Sequence, residues 1–144
     1  MAAEEEWGLV LMGVAYLPFP DVEAVMCTVL KEAGVAAGRI GSGIPPDPVF
    51  PLCVVQRLGG LPPEKRKLDA ARIQVDTWGD SKEDAYDTAE AARLAVFNSE
   101  GQIYQEYSAM VTSVLPESAL IWAPDPELGR PRYHFTVMAY AMST

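Results

Sequence analysis

The feature that most restricts the fold is a change of hydrophobic period inside "RIQVDTWGDSKEDAYDTAEAARLAV", residues 72–96. Ile73, Val75 and Thr77 alternate with Arg72, Gln74 and Asp76, which is the period of a strand with one buried face. From Ala85 the small apolar residues recur at Ala89, Ala92 and Val96, a narrow stripe at helical spacing. Between the two, Gly79-Asp80 turns the chain, Ser81 takes the N-cap position and Asp84 the position of a capping-box acid. The pattern therefore predicts a strand leading directly into a helix over Ser81–Phe97. Asp76, Asp80, Glu83, Asp84, Asp87 and Glu90 crowd this stretch. Those in the first helical turn are favoured by the helix dipole, by about 0.3–1 kcal/mol each, without any ligand. A divalent cation held by Asp76, Asp80 and Asp84 is the weaker reading, because the spacing matches no calcium loop.

The rest of the chain supplies elements of both kinds. "PDVEAVMCTVLKEAG" places Val22, Val25, Met26, Val29, Leu30 and Ala33 on one helical face, with Asp21 at the start and Gly34 at the stop. "VAAGRIGSGIPPDPVFP" reads as a long ordered loop. Its "GRIGSG" lacks the Lys-Ser/Thr ending of a P-loop and the third glycine of a dinucleotide fingerprint. "PLCVVQRL" and "ARIQVDTW" predict an antiparallel pair joined by a protruding loop, Gly59 to Ala70, with Lys65, Arg66 and Lys67 at its tip. That loop is a candidate docking contact, since it concentrates positive charge on a chain of net charge −9. A turn at "NSEGQI", a strand at "YSAMVTSVL" and a short strand with a Pro/Gly turn in "SALIWAPDPELGRP" follow. In the closing "RYHFTVMAYAM", Tyr133, Phe135, Val137 and Ala139 alternate with Arg132, His134, Thr136 and Met138, predicting a strand with one face in the core. Residues 1–16 are read as an N-terminal arm, acidic first and then apolar, expected to pack on its own sheet or a neighbouring subunit; they lack the basic start of a signal peptide. Residues 17–144 are read as one α+β domain, an antiparallel or mixed sheet with two main helices packed on it.

Candidate chemistry is sparse. His134, the only histidine, shares a strand face with Arg132 and Thr136, which suits a sheet surface better than a general base. Arg72, Gln74 and Asp76 form the matching polar face of the earlier strand, so Arg72, Gln74, Asp76, Arg132 and His134 are the candidate interface residues. No serine stands in a Gly-x-Ser-x-Gly elbow, and Cys27 and Cys53 have no metal-like spacing. Both cysteines are expected as free residues in or near the core, and Trp7, Trp78 and Trp122 as packing residues. The acidic balance disfavours a nucleic-acid-binding face, which needs clustered Lys and Arg. From residues alone the chain reads as a non-catalytic interaction domain with no metal or cofactor.

The order of "LPFPDVEAVMCTVLKEAG", "FPLCVVQRLGG", "ARIQVDTWGDSKEDAYDTAEAARLAV" and "RPRYHFTVMAYAM" resembles the tail terminator (tail completion) proteins of long-tailed, siphovirus-type bacteriophages, over residues 17–142. Its most specific part is the strand ending in Asp-x-Trp-Gly before an acidic-capped, Ala-rich helix, combined with the final Arg-Tyr-x-Phe-x-Val strand. The resemblance implies a ring-forming α+β domain assembled as a homohexamer at the neck of the virion. Such a ring caps the tail tube, stops tail polymerisation and offers the surface to which the head–tail connector or stopper joins. The implied partners are the tail tube protein, the connector and other copies of the chain. Genomic DNA passes through the lumen without specific binding, and no membrane, cofactor or enzymatic step is involved. Residues 1–16 lie outside the family's usual beginning, and Met12 is an alternative start. Two other classes compete: a different neck or tail-tube component, and a small cellular enzyme or ligand-binding domain.

Overall fold

Residues 17–64 and 68–144 are described by the computed structural model. Two long antiparallel hairpins form most of the sheet. The first joins β2 (Leu52–Glu64) to β3 (Leu68–Trp78), and the second returns into β7 (Arg132–Ser143) from β5 (Ala109–Pro116) and its continuation β6 (Ile121–Trp122). β3 and β7 pair at the centre, Asp69–Trp78 against Ala141–Arg132. The short strands β1 (Ile40–Gly41) and β4 (Ile103–Tyr104) flank the sheet, giving the order β1-β2-β3-β7-β5-β4. β1 runs parallel to β2, so the sheet is mixed. Helix α1 (Val22–Glu32) packs against β2, helix α2 (Lys82–Asn98) lies on β3 and β7, and the two helices touch. Among the described residues the fold is thus a single α+β domain with both helices on one face of a curled sheet.

The helix starts follow from their caps. Asp21 accepts from the Ala24 N–H at 3.1 Å, and Ser81 accepts from the Asp84 N–H at 3.0 Å. Asp84 departs from the expected capping box: its carboxylate accepts from the Asp80 N–H at 3.1 Å, not from Ser81. Gly79 lies close against this turn, where a Cβ would lie 2.8 Å from that carboxylate and 2.5 Å from the Ala85 nitrogen. Ala85, Thr88, Ala89, Ala92 and Val96 form the buried stripe of α2. Small side chains let the helix lie close above Ile73, Val75, Phe135 and Val137, all buried in the main core. The left-handed Gly34 follows α1, whose predicted stripe member Ala33 is instead its exposed C-cap.

Two loop expectations are corrected. The stretch 59–70 is not a protruding loop: pairing resumes after a bulge at Gly60–Ala71 and Leu61–Ala70, then again at Glu64–Leu68. Gly59 and Gly60 adopt φ of 100° and 150°, so the diglycine that opens the predicted loop instead forms the bulge that lets the hairpin continue. Likewise the loop 35–51 contains the parallel strand β1, where the Cys53 N–H donates to the Arg39 carbonyl at 3.1 Å. Lys65, Arg66 and Lys67, and the arm 1–16 with Trp7, lie outside the described residues. Cys53 is buried, Cys27 half-buried, and both are free. Burial pushes both thiols above their ordinary range, so they stay protonated at neutral pH.

Candidate interaction surface: the open face of the sheet

Because side chains alternate, the strands that bury Ile73, Val75, Phe135 and Val137 under the helices must present their other residues on the opposite face. Register aligns these residues in rows across the sheet. Leu52, Trp78 and Arg132 form one row; Val54, Asp76, His134 and Ile121 the next; then Gln56, Gln74 and Thr136; and then Arg72, Met138 and Leu115. Leu61, Ala70, Tyr140 and Ser113 complete the face toward the hairpin tip. Among the described residues no helix or strand covers it, but at one end Leu52, Val54 and Trp78 are buried in a second, smaller core against the loop residues Phe50 and Leu128, so the face is open only in part. Leu61 and Leu115 are each 49 % exposed and Ile121 42 %, so the face mixes unburied aliphatic surface with its polar rows.

The predicted interface residues all lie here, and four of the five converge. Gln74, Asp76, Arg132 and His134 line one cavity of 350 Å³, with Gln56, Trp78 and Val54 beside them and Gly43 and Ile44 of the loop before β2 at its rim. Asp76 is 6 % exposed and accepts from the Gln74 amide at 3.1 and 3.3 Å. The buried Nδ1 of His134, directly across from Asp76 in the register, has no hydrogen-bond partner among the described residues. Arg72 stands apart from the cavity, reaching Glu117 through Nε–Oε1 at 2.9 Å and Nη2–Oε2 at 3.2 Å. Of the crowded carboxylates, Asp80 pairs with Arg130 at 2.7 Å and Glu90 with Arg93 at 2.6 Å. No group of acidic, histidine or cysteine side chains suited to a metal ion occurs among the described residues.

One support of the cavity was not legible beforehand. The buried Trp78 donates its indole N–H to Asp125 at 2.9 Å, and Asp125 also accepts from the backbone N–H of Glu127 at 2.9 Å and Leu128 at 3.3 Å. Arg132 donates to the Ala123 carbonyl at 2.8 Å and lies 3.7 Å from Asp125. Burial alone would raise the Asp125 carboxyl, but these donors together with Arg132 outweigh it and hold it below its ordinary 3.8. A group with a depressed folded-state value adds stability that is complete above the ordinary value and is lost as pH falls through the folded one. Asp125→Asn is therefore expected to cost about 1 kcal/mol at pH 6, the charged part of the hydrogen bonds. In urea titrations the difference from the unaltered protein should shrink below pH 3.8. A pH-independent difference would remove the charge from the account.

The sheet edges carry a second unforeseen device. Glu23 of α1 accepts from the Arg57 N–H on the outer side of β2 at 2.8 Å, and Glu100 accepts from the Val114 N–H on β5 at 2.9 Å. Each occupies a backbone donor that a foreign strand would need. A wider groove of 730 Å³ lies on the helix side, floored by Phe135 between α2 and the β5–β6 connection, but its charged residues are already paired, Glu90 with Arg93 and Glu117 with Arg72.

Comparison with protein-family models finds no matching family, and comparison with curated proteins finds no match. No helix among the described residues is long and apolar enough to cross a membrane.

Proposed function

We propose that this chain is a structural subunit which assembles with copies of itself into a closed ring, in the manner of the tail terminator proteins its sequence resembles. The observation that carries the proposal is the one-sided cover of the sheet. Both helices occupy one face, while the other, packed by loop residues only over Leu52, Val54 and Trp78, keeps Leu61, Leu115 and Ile121 about half exposed. A sheet face with this much apolar surface gains stability when another protein layer covers it. Contacts that join unlike surfaces close into a ring when the rotation between copies closes.

The proposed work is geometric and requires no reaction or cofactor. A ring of six copies docks on the last ring of the tail tube, presents a surface unlike the tube's own and so ends polymerisation. Its far side then receives the head–tail connector or stopper at the neck of the virion, after assembly in the host cytoplasm. The net charge of −9 supports passage of DNA, since an acidic lumen repels phosphate and prevents sticking. The basic cluster Lys65, Arg66 and Lys67 remains a proposed docking contact with acidic partner surface.

Light-scattering mass measurement with negative-stain imaging tests the reading. Discrete rings of about six subunits are the expected result. Long tubes formed by the chain alone would assign it to the tube instead, and a monomer at all concentrations in the presence of tail tubes would end the ring proposal.

A further inference from the structure

We propose that the uncharged segment 7–16 of this chain covers the hairpin-tip end of its own open sheet face. The register carries that face one row beyond those described above. Ile103 on β4, Met110 on β5 and Met142 on β7 stand side by side on it, because their neighbours Tyr104, Ala109 and Ala141 belong to the core under the helices. The adjoining row is Leu61, Ala70, Tyr140 and Ser113. Ile103 is 57 % exposed and Leu61 49 %, while Met110, Met142 and Tyr140 are half-buried. Neither row contains a charged residue, so this end of the face gains chiefly by being covered with apolar chain.

The occupant follows from where the chain enters the domain. The Pro18 carbonyl accepts from Ser143 Oγ at 2.6 Å, which fixes the entry point at the end of β7, beside Met142. Leu17, just before this anchor, is 52 % exposed. Upstream, residues 7–16 read "WGLVLMGVAY", an apolar run without a charge. Ile103 and Leu61 each lie two strands away from β7, about 10 Å at the usual spacing between strands. A segment of this length reaches up to about 35 Å when extended, so it spans the patch in either direction. Being tethered beside the patch, it competes at an effective concentration in roughly the millimolar range, whereas another copy must be recruited from solution. The inference goes beyond the ring reading and does not need it, since the rows around Leu115 and Asp76 stay available to another protein layer.

Peroxide oxidation of methionines in the full chain, read by peptide mass spectrometry, tests the assignment, because sulfoxide formation follows exposure. In the double variant Leu9→Asp/Leu11→Asp the segment should leave the face. Met110 and Met142 should then oxidise at least about fivefold faster than in the unaltered chain. Met26, fully buried under α1, should stay slow in both. If Met26 also becomes reactive, the variant has unfolded and the unaltered chain decides: its Met12 should oxidise several-fold more slowly than Met12 in a synthetic peptide of residues 1–20. Unchanged Met110 and Met142 rates in the folded variant, or Met12 as reactive as in the peptide, would overturn the proposal. Protection that rises with protein concentration would assign the cover to a second copy and overturn the own-chain occupant. Ring formation is read separately from particle mass, so either proposal can fail without the other.

Discussion

Phe135→Ala is expected to lower stability by about 3–5 kcal/mol, the range for truncating a buried aromatic side chain. Phe135 is 1 % exposed, pairs with Val75 at the centre of the sheet and belongs to the main core beneath α2. Its loss leaves a cavity under the helix, and the sheet's paired backbone limits how far neighbours can close it. Urea unfolding followed by circular dichroism should show a lower midpoint with an unchanged slope. Leu115→Ala is the contrast: a side chain 49 % exposed on the open face should cost the isolated subunit less than about 1 kcal/mol. Under the ring proposal the same change weakens assembly instead. Similar losses of subunit stability in both variants would contradict the division between a covered and an open face.

Gly60→Ala should be nearly as damaging, at roughly 3 kcal/mol, for backbone rather than core reasons. A Cβ at Gly60 would lie 1.8 Å from the Ala70 carbonyl oxygen and 2.9 Å from its carbon, at a φ of 150°. Neither contact is with a flexible side chain, so the hairpin must shift or part beyond the bulge. Gly59→Ala provides the control, because its Cβ meets nothing within 4 Å and only the φ of 100° is unfavourable, which costs about 1 kcal/mol. Amide hydrogen exchange should accelerate between Leu61 and Ala71 in the Gly60 variant. Unaltered protection there would show that the register from Leu61 to Glu64 does not depend on this glycine.

These two positions differ in how they announce themselves. Phe135 follows from alternation in "RYHFTVMAYAM", whereas the diglycine 59–60 looks like the start of a loop. Local sequence does not distinguish a glycine that ends a strand from one that bends it, because both use positive φ. The outcome depends on whether the residues beyond find partners, and here Leu61 and Glu64 find Ala70 and Leu68. The parallel strand β1 escaped for the same reason: two residues carry no period, and Ile40–Gly41 is a strand only because β2 lies beside it.

The candidate surface was partly legible. Alternation alone places Arg72, Gln74 and Asp76 on one face of a strand and Arg132 and His134 on one face of another. It does not say that the two faces are the same face. That followed from the β3–β7 register, which set Asp76 against His134 and Trp78 against Arg132. Gln56 could have been added by continuing the alternation from Val54. Asp125 could not, since its bond to Trp78 joins residues 47 positions apart through a turn that reads as ordinary loop.

By itself, then, the sequence determined the two helices with their Asp21 and Ser81 caps, the principal strands and the inward residue of each pair, because caps and periods are fixed by interactions a few residues apart. Only the tertiary structure decided that both helices lie on one side, that Glu23 and Glu100 occupy edge donors, and that Asp76 and His134 meet in one cavity. Those features depend on strand order and register, which are set by the summed packing of elements distant in sequence and leave no local signature in the chain.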